Sequence, residues 1–190
     1  MILFGLLASA AIVPAGQTFT CTPVSVWDSD GPVWCAEGPR VRLAGIAARE
    51  MDGSCRSNQP CPDVTADQAR DALVRLIGVP TGRSIDGHVL LKGPAMRCTS
   101  VGNGVGNRTA AWCVSPVGGD VSCAMVKGGW ALRWDRYWRG MRVSGDPTSK
   151  TVRSRPSNIA ACNTASSPPN INPRRSSHSA DLRRQLSQII

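Results

Sequence analysis

The chain has 190 residues, a net charge of +9 and a pI near 9.7, with 42% hydrophobic and only 5% aromatic residues. That length suffices for one domain with a real core plus extensions, and the basic balance favours polyanionic partners such as nucleic acid or an acidic surface. Eight cysteines without paired C-x-x-C spacing, beside only two histidines, argue against a Cys/His zinc site, and no P-loop, GxGxxG, HExxH or Ser-His-Asp arrangement is visible.

Residues 1–16 read as a signal peptide: Met1 to Val13 is almost wholly apolar, and Val13-Pro14-Ala15 offers a small-residue cleavage site. The stretch is too short to span a bilayer comfortably. It lacks the usual basic n-region, which leaves an uncleaved anchor open. Export and disulfide formation support each other, so the expectation is a secreted or periplasmic monomer with no stable membrane association after cleavage.

A domain over residues 17–139 follows. Val24, Val26 and Trp27 form a β-rich run that ends in Asp28 and Asp30. A second run, Val33-Trp34-Cys35, leads to a tight turn at Glu37-Gly38-Pro39, and a third, Arg40 to Ile46, alternates basic and apolar residues before reaching Glu50. Asp28, Asp30, Arg42 and Glu50 are the polar groups in this apolar stretch that need a reason. The bland reading of Asp28 and Asp30 is an Asx turn before Pro32. Cys21 and Cys35 come within bridging range if the first strands pair antiparallel. Cys55 and Cys61 close a polar loop next to Glu50.

Thr65-Ala66-Asp67-Gln68 is a capping box, and Ala69, Ala72, Leu73, Leu76 and Ile77 then share one helical face, with Arg70, Asp71 and Arg75 turned away. Gly78 and Pro80 end that helix. His88 to Lys92 reads as a strand, His88 itself as a packed or solvated residue. Cys98 and Cys113 flank a loop carrying Gly102, Gly104 and Gly106, followed by a strand from Thr109 to Val114. Asp120 caps a helix over Val121 to Lys127, ended by Gly128-Gly129. Trp130 to Arg139 interleaves aromatic and basic residues. That mixture suits base stacking and phosphate binding through Arg133 and Arg136, but the preferred reading is indoles packed on the domain. Residues 140–190 turn to Ser, Pro, Asn and Arg; they carry +6 of the +9 and read as a disordered basic tail, whose Cys162 pairs with Cys123 or stays free.

Trp27-Asp28-Ser29-Asp30-Gly31 followed by Val41-Arg42-Leu43-Ala44-Gly45-Ile46-Ala47-Ala48-Arg49-Glu50 resembles the thermonuclease (staphylococcal nuclease-like) family. The family pattern is D-G-D-[TS] and then R-L-x-[GL]-[IV]-D-[AT]-P-E. The likeness extends to Arg108 and to Val126-Lys127-Gly128-Gly129-Trp130-Ala131, over roughly residues 21–139. It implies an α+β chain built on a five-stranded OB-type barrel with two to three helices, here disulfide-braced. It also implies a nuclease hydrolysing DNA or RNA, with Glu50 as general base and Arg42 and Arg108 on the phosphate. Calcium would sit on Asp30, with Asp28 and Asp52 as further candidate ligands. The chain departs from the pattern where it counts for that metal: the second calcium carboxylate is Ala47, the next position is Ala48, and Arg49 replaces the proline before Glu50. Arg49 brings a positive charge near the metal position and joins Arg133 and Arg136 as a candidate nucleic-acid contact. The alternative is a catalytically silent module of the same family that binds nucleic acid or a protein partner, for which Ala47 and Ala48 speak.

Overall fold

The computed structural model describes residues 12–138 and residue 162. The expected tail over 140–190 and most of the apolar leader therefore lie outside the described residues. The strands are β1 (Thr18–Cys21), β2 (Pro23–Val26), β3 (Val33–Cys35), β4 (Arg40–Leu43), β5 (Ile46–Ala47), β6 (Val79–Arg83), β7 (Val89–Lys92), β8 (Met96–Asn103), β9 (Thr109–Ser115), β10 (Gly119–Asp120) and β11 (Leu132–Arg133). Three helices join them: α1 (Ala66–Ile77), α2 (Val121–Lys127) and α3 (Asp135–Trp138).

Nine strands form one mixed sheet in the order β1-β8-β9-β4-β3-β2-β7-β6, with β10 added to β9. Within it β4 and β9 run parallel and the other pairs antiparallel. β11 and β5 make a separate two-stranded ribbon. This corrects the expectation of a five-stranded OB-type barrel. The sheet is open: β1 and β6 stand at opposite ends of the path and do not pair with each other. The outer strand β6 explains part of that. Pro80 has no N–H to offer a further strand, its register slips between Pro80 and Gly82, and all five of its residues face solvent.

The core follows the alternation of the strands. Val26, Val33, Val41 and Leu43 are fully buried on β2–β4, and Met96 and Cys98 meet them from β8. Helix α1 closes one side with Leu73 and Ile77, each stabilising the fold by about 1.5–3 kcal/mol through burial. Its start is the expected box: the Thr65 hydroxyl accepts from the Gln68 amide while the Gln68 side chain accepts from the Thr65 amide. Arg70 is not turned away as expected. It is 2% exposed, paired with Asp67, and donates to the Trp27 carbonyl, so it ties α1 to the aspartate-bearing turn.

Four disulfides brace the chain: Cys21–Cys35, Cys55–Cys61, Cys98–Cys113 and Cys123–Cys162. Bridges of this number belong to an oxidising, extracytoplasmic compartment. Among the described residues no helix is long and apolar enough to cross a membrane.

Candidate functional site

The strand β4 shows why the site lies where it does. Val41 and Leu43 point into the core, which turns Arg42 to the opposite face. There its guanidinium grips Asp30 with both prongs, Nη1 to Oδ1 at 3.1 Å and Nη2 to Oδ2 at 2.6 Å. Asp30 is held over β4 by its own backbone, whose carbonyl accepts from the Leu43 amide at 2.8 Å. Gly31 makes that approach possible: its φ is +111° and a Cβ there would strike the Val41 carbonyl.

Asp28 sits behind this pair, 6% exposed, and its Oδ1 accepts from the Asp30 amide at 3.2 Å. Burial pushes its carboxyl up to about 8, with the negative charges of Asp30 and Glu50 adding to the effect. Burial also pushes Asp30 up, while the Arg42 charge pulls it back. A two-pronged guanidinium needs both oxygens of Asp30 as acceptors, so the proton of this carboxyl pair belongs on Asp28.

Glu50 ends the same stretch and is gripped in turn by Arg56, Nε to Oε1 at 2.5 Å and Nη2 to Oε2 at 3.4 Å. Arg108 precedes β9 in a tight hairpin, where its Nε donates to the Val105 carbonyl at 2.7 Å and the Gly104 amide donates to the Arg108 carbonyl at 2.7 Å. Partial burial and the neighbouring Arg42 charge lower the Arg108 guanidinium pKa, with Arg56 adding to this and the nearby Asp30 opposing it.

Arg42, Arg56, Arg108 and Arg136 line one cleft of about 380 Å³. Its floor is the turn Leu43–Ile46, and Trp134 and Tyr137 form an aromatic wall with ring centroids 4.4 Å apart. Two bonds place that wall and floor. The Trp134 amide donates to the Gly45 carbonyl at 2.8 Å, and the buried Ser122 hydroxyl of α2 donates to the Ala44 carbonyl at 3.0 Å. Gly45 has φ +75°, and the Trp112 and Trp138 rings leave no room for a side chain.

The residues expected from the sequence divide accordingly. Arg42, Arg108 and Arg136 share the cleft, and Glu50 and Asp30 are each bonded to an arginine of its wall. Arg49 does not reach it. Its guanidinium donates to the carbonyls of Gly53, Pro62 and Val64 and so buttresses the loop after Glu50. Arg133 pairs with Asp135 at 2.6 Å and lies over the Trp138 ring. Trp138 stacks edge-on against Trp112, so the packing reading holds for part of the 130–138 segment while Trp134, Arg136 and Tyr137 serve the cleft. His88 sits between Trp27 and Trp34 as a packed residue. The sequence reasoning missed Arg56 and Gln59; their signal was the Cys55–Cys61 closure of a loop that starts beside Glu50.

Calcium finds a poor donor set here. Both Asp30 oxygens face the Arg42 fork, Asp28 is the carboxyl that holds a proton, and Asp52 is exposed with its Oδ1 on the Ser54 amide. Ala47 is fully buried and pairs with Leu132. Among the described residues no three His, Cys, Asp or Glu side chains stand together as metal ligands, whereas calcium takes six to eight oxygens. No family model matches this chain, and no curated protein is similar to it.

Proposed function

We propose that the protein is an exported phosphodiesterase acting on DNA or RNA as a monomer, its leader removed at residues 13–15. One observation carries the reading: a single cleft collects four arginines and an aromatic wall, with Glu50 bonded to one of those arginines. The volume is that of a pocket for a nucleotide-sized ligand. In this reading Arg42 and Arg108 hold two phosphate oxygens and offset the charge that builds on the phosphorus in the transition state, where a guanidinium fork outperforms an ammonium. Glu50 takes the proton of the attacking water. Trp134 and Tyr137 stack on a base next to the scissile phosphate, which tolerates any sequence. No step is assigned to calcium.

A second reading, a binding module without cleavage, is favoured by one feature: Asp30 and Glu50 are both already engaged by arginines. Cleavage of single-stranded DNA and RNA, with and without chelator, separates the two. Glu50→Gln should lower the rate at least a hundredfold while leaving oligonucleotide affinity within about threefold, the scale of a general base. Binding by the unaltered chain with no cleavage under any condition sinks the enzyme reading in favour of the module.

A further inference from the structure

Arg56 has no place in the motifs that led to the site, yet it is the residue that holds Glu50. It enters the cleft on a loop closed by Cys55–Cys61, directly next to Cys55 in sequence. The same loop brings Gln59, whose buried Oε1 has no hydrogen-bond partner and lies in the cleft wall. The two ends of the loop are anchored separately by the three bonds from Arg49 to the carbonyls of Gly53, Pro62 and Val64. Opening the disulfide removes the covalent tie across the tip that carries Arg56 and Gln59. The Gln59 amide on the Arg56 carbonyl and the Arg56–Glu50 pair are then left to hold that tip, while Arg49 still bonds the base of the loop.

This disulfide also differs from the others in access. Cys21, Cys35, Cys98, Cys113, Cys123 and Cys162 are all buried, none more than 6% exposed. Cys61 is exposed and Cys55 half-exposed. Thiol–disulfide exchange needs a thiolate to reach a sulfur, so an external reductant meets this bond first.

We propose that Arg56 is a positioning residue for Glu50 and that the Cys55–Cys61 bond makes the site redox-gated, complete when oxidised and disabled when this one bridge is opened. The proposal rests on the phosphodiesterase reading. The switching step balances with an external dithiol as reductant. One of its thiolates attacks Cys61 Sγ, the Sγ–Sγ bond breaks, and Cys55 leaves as a thiolate that takes a proton from solvent. The second thiol of the reagent then attacks the mixed disulfide and frees Cys61. The dithiol ends as a disulfide, having supplied two electrons.

The test uses the full oxidised chain and a single-stranded DNA oligonucleotide. Limited dithiothreitol followed by alkylation and peptide mass mapping should label Cys55 and Cys61 before any other cysteine. At that stage kcat should fall at least tenfold with KM within threefold, and reoxidation should restore it. The double variant C55S/C61S should reproduce the loss with its other disulfides intact. Arg56→Ala should lose a similar factor and recover in part with millimolar guanidinium ion, whereas Arg56→Lys should stay impaired, because an ammonium cannot make the two-pronged contact. A merely structural role would not respond to guanidinium. Earlier labelling of other cysteines, or full activity after selective reduction, overturns the gate. Full activity in Arg56→Ala, or a loss that guanidinium does not rescue, overturns the positioning role. If the oxidised chain cleaves neither DNA nor RNA, the phosphodiesterase reading itself falls and takes the proposal with it; an active chain indifferent to Arg56 sinks the proposal alone.

Discussion

Asp28 is a buried carboxyl with no cation bonded to it among the described residues. Its carboxyl is pushed up to about 8 from an ordinary 3.8 by burial first and by Asp30 and Glu50 second. The folded state thus holds a proton there that the unfolded chain gives up near pH 4. The sign follows from linkage: the stability from this group is complete below pH 3.8 and is lost as pH rises toward 8, by about 1.4 kcal/mol for each pH unit crossed. Asp28→Asn keeps the shape and removes the titration. Urea midpoints measured from pH 5 to 8.5 should fall for the unaltered chain and stay flatter for Asp28→Asn; parallel curves would show that Asp28 ionises normally. Asp30, two residues on, is also pushed up by burial, but there Arg42 reaches the carboxyl with both prongs and pulls it back. The sequence made Asp30, Arg42 and Glu50 legible because they fall within one short stretch, Arg42 on β4 and the other two in the segments that follow β2 and β5. It hid Arg49, whose charge suggested a ligand contact and whose bonds all go to loop carbonyls.

At the scale of elements, the cleft depends on α2 although none of that helix lines it. Ser122 is fully buried and reaches across to the Ala44 carbonyl, fixing the turn that forms the floor. Ser122→Ala leaves a buried carbonyl without this donor, so it should cost about 1–3 kcal/mol in denaturant unfolding. A loss under a few tenths would mean the turn is held by its neighbours alone. Helices α1 and α2 could be read from capping residues, which act over three or four positions. Arg70 could also have been read as buried, since it stands four residues after the core position Ala66 and three before the core position Leu73. Strand β8 was hidden for a different reason: its inward residues are Met96, Cys98 and Ser100, and a buried serine breaks the apolar alternation. Strand β6 has no buried residue at all, so it carries no pattern to read. The small barrel is the expectation because the family resemblance implies it; β8 and β6, together with β7 and β1, supply both outer edges of the larger open sheet.

For the whole molecule, charge and covalent links set the behaviour. Of the +9, the tail sequence carries +6, so under the proposed function long-range attraction to nucleic acid and local recognition in the cleft would come from different parts of the chain. Salt titration separates them. Arg136→Gln removes a cleft cation and should reduce the slope of log affinity against log salt by about 1, whereas Arg133→Gln, which loses a cation already paired with Asp135, should leave it nearly unchanged. Equal effects from both would place the binding surface elsewhere. The four disulfides carry a consequence of another kind. Each cysteine is joined to its immediate neighbour in the order of the chain, at separations of 14, 6, 15 and 39 residues. Eight cysteines admit 105 pairings, and this is the one in which each bridge can close before the next pair of sulfurs has left the translocation machinery. The cross-links are thus ordered by the direction of synthesis, and a chain delivered end-first into an oxidising space meets its correct partners without having to unmake wrong ones.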